Sequence, residues 1–134
     1  MAEDSREAKQ VIVMRKDLHM RKGKMIAQGA HASLKVLTDA AHASEDGTQL
    51  TLALDPAAAR WLVGGRFTKV CVSVDSEAAL DEVVARARAA GVPCAVIVDA
   101  GRTEFHGVPT KTCCAVGPAW VDEVDAITGA LPLL

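Results

Sequence analysis

Three short runs of β-branched and small apolar residues, at 10–14, 68–74 and 94–98, are separated by stretches long enough to hold helices. That spacing narrows the fold more than any other feature of the chain. Antiparallel neighbours need only a tight turn, whereas parallel strands need a crossover of a dozen or more residues. The first interval supplies one. Residues 24 to about 43 lack proline, are rich in alanine, and carry Ile26, Ala30, Leu34, Leu37 and Ala41 at helical spacing. Asp55-Pro56 then caps a short helix running to about Val63 and ended by Gly64-Gly65. In the second interval Asp75 or Ser76 caps a helix to Ala90, Gly91 stops it, and Pro93 introduces the third strand. Strands one to three are therefore expected to run parallel.

After Asp99 the pattern changes. Gly101, Gly107 and Pro109 mark a compact connection to a fourth strand at 111–116, expected as an antiparallel edge or hairpin partner. Pro118 is expected to open a last helix to about Thr128, closed by Gly129. Together these elements predict an α/β fold, a three-layer α/β/α arrangement with a four-stranded mixed sheet. With 134 residues and no internal repeat, the chain reads as one domain over 1–134, residues 1–9 forming a flexible start.

Half the residues are hydrophobic, mostly alanine and valine, and the aromatics are Trp61, Trp120, Phe67 and Phe105, so the core is expected to pack through small side chains. The apolar runs are strand-sized, far short of a membrane span, and the first nine residues are too polar for a secretory signal. The expectation is a soluble, cytoplasmic protein. Cys71, Cys94, Cys113 and Cys114 show no metal-ligand spacing and read as reduced core thiols, with Cys113 and Cys114 on opposite faces of a strand. No metal site or cofactor is expected. The net charge is −2, yet residues 1–37 hold 8 Lys/Arg against 4 Asp/Glu, while residues 75–134 hold 4 against 9. Positive charge therefore gathers near the amino end, as a nucleic-acid contact or as a solvated face.

Segments leaving the carboxyl ends of parallel strands gather along one edge of a sheet, where open α/β folds bind ligands. Residues 15–24 follow the first strand and residues 99–103 follow the third, so Lys24 and Asp99 are expected to meet at one rim. On the first helix Lys24, Gln28, His31 and Lys35 share a narrow polar stripe, which is either the wet side of the helix or the wall of a site. Lys22-Gly23-Lys24 opens that helix, a place that attracts anions, although the glycine pattern is not that of a phosphate-binding P-loop. Asp99 is alternatively a turn residue ahead of Gly101, and Thr103 and Thr112 are hydroxyl donors or simply strand formers. Ser33 and Ser73 lack a nucleophile-elbow pattern, so covalent catalysis is not indicated.

The text Val11-Ile12-Val13-Met14-Arg15 to Asp17, Lys22-Gly23-Lys24, Ala27-Gln28, His31-Ala32, Asp99-Ala100-Gly101-Arg102-Thr103, Val116-Gly117-Pro118 and Ile127-Thr128-Gly129 resembles the archaeal and eukaryotic type of peptidyl-tRNA hydrolase. The match runs from about Gln10 to Leu134. The resemblance implies a metal-free hydrolase, usually a homodimer, that frees tRNA from peptides released prematurely by the ribosome. It places the family's functional residues on Lys24, Gln28, Asp99 and Thr103, with a further threonine on Thr112. Arg21, Glu104 and Trp120 depart from the family pattern. In this reading Lys24 and Asp99 serve the chemistry, Gln28 and Thr103 hold water or substrate, and Arg15, Lys16, Arg21, Lys22 and Arg102 meet tRNA phosphates. His31 joins them as a substrate contact or proton shuttle, unless it is a plain helix residue. The rival readings are a non-catalytic tRNA-binding or protein-interaction module of the same fold, and a thiol redox protein built on Cys113 and Cys114.

Overall fold

The computed structural model describes residues 6–102 and 104–134. In chain order the elements are β1 (Ala8–Arg15), α1 (Lys22–Ala40), a small hairpin of β2 (His42–Ala43) and β3 (Leu50–Thr51), and α2 (Pro56–Ala59), which continues as a π-helical turn over Arg60–Gly64. There follow β4 (Lys69–Val74), α3 (Glu77–Ala89), β5 (Cys94–Asp99), β6 (Thr110–Trp120) and α4 (Val121–Thr128). The caps lie where the sequence predicts them. The Asp55 carboxylate accepts from the Ala58 N–H at 2.8 Å with Pro56 in the first turn, and the Ser76 hydroxyl accepts from the Ala79 N–H at 3.0 Å.

The main sheet is four-stranded in the order β4-β1-β6-β5. β1 and β4 pair in parallel, whereas β6 is antiparallel to both β1 and β5. β1, β4 and β5 thus share one direction, as expected, but β5 reaches the others only through β6. Of the two places expected for the fourth strand, edge or hairpin partner, β6 takes the second: it pairs antiparallel with β5 and fills an interior slot. It runs on to Trp120, and Pro118, expected to open the last helix, lies within it. β1 shows a register shift between Lys9 and Val11 opposite this segment, and such a bulge is where an interior strand tolerates a proline. α1 ends at Ala40, a few residues early, and β1 takes in Ala8 and Lys9.

Alternation along the strands divides the core in two. Val11, Val13, Val72, Val74, Cys114 and Val116 pack with residues of α3 and α4. Ile12, Met14, Ala95, Ile97, Cys113 and Ala115 pack with Ala32 and Val36 of α1. Helices therefore lie on both faces, and Cys113 and Cys114 point oppositely, as expected. Cover is unequal, however. A helix about 10 Å wide cannot span four strands set about 4.8 Å apart. α1 lies mainly over β6 and β5, so Cys71, paired with Ile12 on the same face of β4, stays exposed. Burial on α1 consequently departs from the sequence pattern. Gln28, Gly29, Ala32 and Val36 are buried, while Ile26 is 73% and Leu34 61% exposed. At the outer edge of β4 the tail adds a short antiparallel pairing, Leu133 bridging Val72 and the Leu134 N–H donating to the Cys71 carbonyl at 3.1 Å.

Candidate functional site

Asp99 is the last residue of β5 and Lys24 lies in the first turn of α1, so the fold brings together groups 75 positions apart. The Lys24 ammonium donates to Asp99 Oδ1 at 2.9 Å, and the two side chains are 16% and 14% exposed. The pair is thus sheltered by the rim yet open to solvent on one side. Gln28, one turn further along α1, donates through Nε2 to the same Oδ1 at 3.3 Å, and the Gly101 N–H donates to Oδ2 at 2.9 Å. With these donors the Lys24 ammonium, above all, holds the Asp99 carboxyl below the usual carboxylate range, outweighing the opposing effect of burial.

The other end of the Gln28 amide is fixed from beneath. The Thr112 hydroxyl, on β6, donates to Gln28 Oε1 at 2.5 Å, which leaves Nε2 to face Asp99. The Cys113 thiol donates to the Gln28 backbone carbonyl at 3.3 Å. Thr112 and Gln28 are both buried. Thr112, grouped by sequence with the tRNA contacts, is therefore within reach of Gln28 rather than of a polyanion at the surface.

The cationic residues separate into two kinds. Arg15 is forked onto Asp17, Nη2 to Oδ2 at 2.7 Å and Nε to Oδ1 at 3.1 Å, and its Nη1 donates to the Lys111 carbonyl at 3.0 Å. Its charge is spent inside the protein, and the same fork keeps the Asp17 carboxyl below its ordinary range. Lys16, Arg21, Lys22 and Arg102 are exposed around the rim, as is His31 on α1. Arg21 reaches across the mouth, its Nε 3.8 Å from Glu104 Oε1. Thr103 lies outside the described residues.

Sequence reasoning missed the roof of the site. Phe105, half-buried against the α1 side of the core, brings its ring centroid to 5.9 Å from the Lys24 ammonium. It sits in a loop folded back by Gly107 N–H to Gly101 carbonyl and Val108 N–H to Phe105 carbonyl bonds at 2.8 and 2.9 Å. The readable signal was an aromatic residue inside a Gly- and Pro-marked connection. As a whole the site offers an ionised carboxylate, an ammonium and an amide donor converging on one small volume. That set suits hydrolysis of a carbonyl compound by positioned water.

Residues 8–134 match the model of the family described as peptidyl-tRNA hydrolase PTH2. The chain is 40% identical to the peptidyl-tRNA hydrolase of Methanocaldococcus jannaschii over 126 residues, covering 94% of this chain and 99% of that one. It is 44% identical to that of Halobacterium salinarum over 125 residues, 93% and 98% of the two chains, and 41% identical to that of Thermococcus onnurineus over 126 residues, 94% and 97%. Among solved structures, a protein of unknown function from Agrobacterium tumefaciens strain C58 matches with a TM-score of 0.57 over 96% of this chain and 98% of that one. At 11% identity that likeness speaks to the fold alone.

Proposed function

Because this chain belongs to the peptidyl-tRNA hydrolase PTH2 family and is a peptidyl-tRNA hydrolase, we propose that it cuts the ester between peptide and terminal ribose at the Lys24–Asp99 pair, returning tRNA from prematurely released peptidyl-tRNA. The observation that carries the reading is the convergence of Lys24, Gln28 and the Gly101 N–H on the Asp99 carboxylate.

The depressed proton affinity of Asp99 decides how it serves. A base whose pKa lies far below the working pH abstracts protons poorly. Asp99 therefore orients the attacking water by accepting its hydrogen bond and keeps Lys24 in place, while the proton the water loses passes to the ribose oxygen as the ester C–O bond breaks. Lys24, a full positive charge at the rim, donates to the carbonyl oxygen as negative charge builds on it. Gln28 holds the water or the substrate carbonyl through the second Nε2 hydrogen, the first being given to Asp99. Thr103 is assigned a substrate-holding role on the family resemblance alone.

The exposed cations Lys16, Arg21, Lys22 and Arg102 meet tRNA phosphates in this reading, His31 adds a contact on α1, and Arg15 is a structural residue. We read the protein further as a cytoplasmic homodimer, on the resemblance and on the role in translation; no helix among the described residues is long and apolar enough to cross a membrane.

The test is release of the acyl group from N-blocked aminoacyl-tRNA, with free aminoacyl-tRNA alongside. Loss of a preorganised oxyanion donor typically costs about 2.7–4 kcal/mol, so Lys24→Ala is expected to slow turnover by roughly a hundredfold or more. Asp99→Asn is expected to bind tRNA normally and cleave it poorly. A wild-type protein that binds tRNA and leaves the blocked ester intact is a non-catalytic module, and a change under threefold in Lys24→Ala removes Lys24 from the mechanism.

A further inference from the structure

The apolar stripe of α1 does not face the core. Ile26, Ala30 and Leu34 follow one another at helical spacing, all exposed, along the side of the helix that overhangs β4. Between this overhang and the bare half of the sheet run two cavities of about 370 Å³ and about 310 Å³ that share Ile12, Gly29 and Ala30 and so form one trough. Cys71 and Leu134 close the far side at the upper end, Trp61 and Phe67 at the lower. Each part is of the size that holds a small ligand, about 300–1,000 Å³.

Apart from Lys22 at its upper mouth, the trough has little to offer a sugar or a phosphate. Ser33, on its wall, already donates its hydroxyl to Gln10 Oε1 at 2.5 Å. Lys69 lies over the Phe67 ring, 3.0 Å from its centroid, and donates to the Phe67 carbonyl. The lining instead suits aliphatic side chains. Position supplies the second half of the argument. The upper end is lined by Lys22 and Met25, residues that flank Lys24 in the same first turn of α1. A chain whose ester carbonyl lies at Lys24 and Asp99 has only the start of the helix to cross, and it crosses at Gly23. That residue is exposed, and no atom lies within 4 Å of where its Cβ would be.

We propose that the trough between α1 and β4 is the subsite for the peptide part of the substrate, taking apolar side chains amino-terminal to the esterified residue. The substrate has one polyanionic half and one peptide half, and the protein presents a cationic rim at the start of α1 that adjoins, at Lys22, the upper end of an apolar channel. This inference rests on the hydrolase reading above.

Three substrates on one tRNA separate the possibilities, all with glycine at the ester so that the bond cut is the same: acetyl-glycyl, acetyl-leucyl-leucyl-glycyl and acetyl-seryl-seryl-glycyl. Burying a single leucine side chain is worth at least about a tenfold preference, so kcat/KM for the leucyl substrate is expected to exceed that for the seryl one by about that factor. Ala30→Trp, which fills the trough, and Ile26→Glu, at an exposed wall position, are expected to abolish the preference while acetyl-glycyl-tRNA is cleaved within about twofold of the wild-type rate. Equal rates on the leucyl and seryl substrates in the wild type, or variants that lower all three substrates alike, overturn the proposal. So does an Ala30→Trp protein that keeps the preference but sediments as a monomer where the wild type is a dimer, since the trough then belongs to a second copy of the chain. Failure of the wild type on acetyl-glycyl-tRNA itself is a different result and counts against the hydrolase reading.

Discussion

Asp99 shows what a single residue gains from its place at a strand end. Rigid backbone delivers its carboxylate to Lys24, Gln28 and the Gly101 N–H, and each donor favours the ionised form. A carboxyl whose pKa is lower folded than unfolded adds stability that is fully present above the unfolded value, about 3.9, and is lost as the pH falls through the lowered folded value. An acid limb of activity due to Asp99 accordingly lies below the ordinary carboxylate range, and kcat/KM is expected to stay flat from neutrality down to about pH 5. Lys24→Gln removes the largest cause of the shift. Carboxyl-carbon NMR titration of Asp99 is expected to show its pKa rise toward the ordinary value in that variant, and an unmoved pKa would mean that the Gly101 and Gln28 bonds suffice. The Lys24–Asp99 meeting was legible in the sequence because strand direction alone sends both segments to one rim. The function of Thr112 was not. Its hydroxyl acts on Gln28 through a bond that depends on β6 lying directly under α1, and no local spacing encodes that neighbour.

At the scale of elements, local rules read well where one residue dictates the backbone and poorly where neighbours decide. Asp55-Pro56, Ser76 and Gly91 marked helix ends correctly because capping and left-handed geometry are local. The extent of β6 was hidden by Gly117-Pro118, which resembles a helix opening until β1 is seen to bulge opposite it. The β2–β3 hairpin was invisible, since its strands are two residues each, exposed, and lack the usual β-branched run. α1 was placed correctly in the chain but its buried side was not, because the apolar stripe that marked it overhangs β4. The Gly101–Pro109 loop has a similarly non-local constraint. Gly101 has φ +81°, and a Cβ there would lie 2.4 Å from the Val108 carbonyl oxygen and 2.7 Å from the Val108 nitrogen. Gly101→Ala must therefore move the loop and with it the N–H that holds Asp99 Oδ2. The left-handed conformation alone costs a non-glycine residue about 1–2 kcal/mol. Turnover is expected to fall by about tenfold or more, in proportion to one lost hydrogen bond to a charge, about 1.5–3 kcal/mol. Parallel thermal melts check that the protein stays folded, and an unchanged rate in a folded variant would make the Gly101 contact incidental.

Over the whole molecule, unequal helix cover and unequal charge point to the same division of labour. Two helices cover one face of the sheet, whereas α1, with α2 and Trp61 at its far end, leaves the middle of the β4 side open, and both flanks of α1 become usable surface. With a net charge of −2, general attraction does not bring this protein to a polyanion. In the proposed function, tRNA is met by the cations exposed at the rim, Lys16, Arg21, Lys22 and Arg102, and not by Arg15, which is committed to Asp17 and the Lys111 carbonyl. Each phosphate contact contributes about 0.7–0.9 to the slope of log K against log salt, so four contacts give a slope of about −3 and weaken binding roughly a hundredfold between 50 and 200 mM salt. Filter binding or anisotropy with uncharged tRNA measures this directly. Removing Lys16 or Arg102 is expected to flatten the slope by about one, and Arg15→Ala to leave it unchanged while lowering stability, because an already paired guanidinium releases no counterion from the RNA. A slope near zero would confine the rim to keeping the protein in solution, and the polyanionic half of the substrate would need another surface.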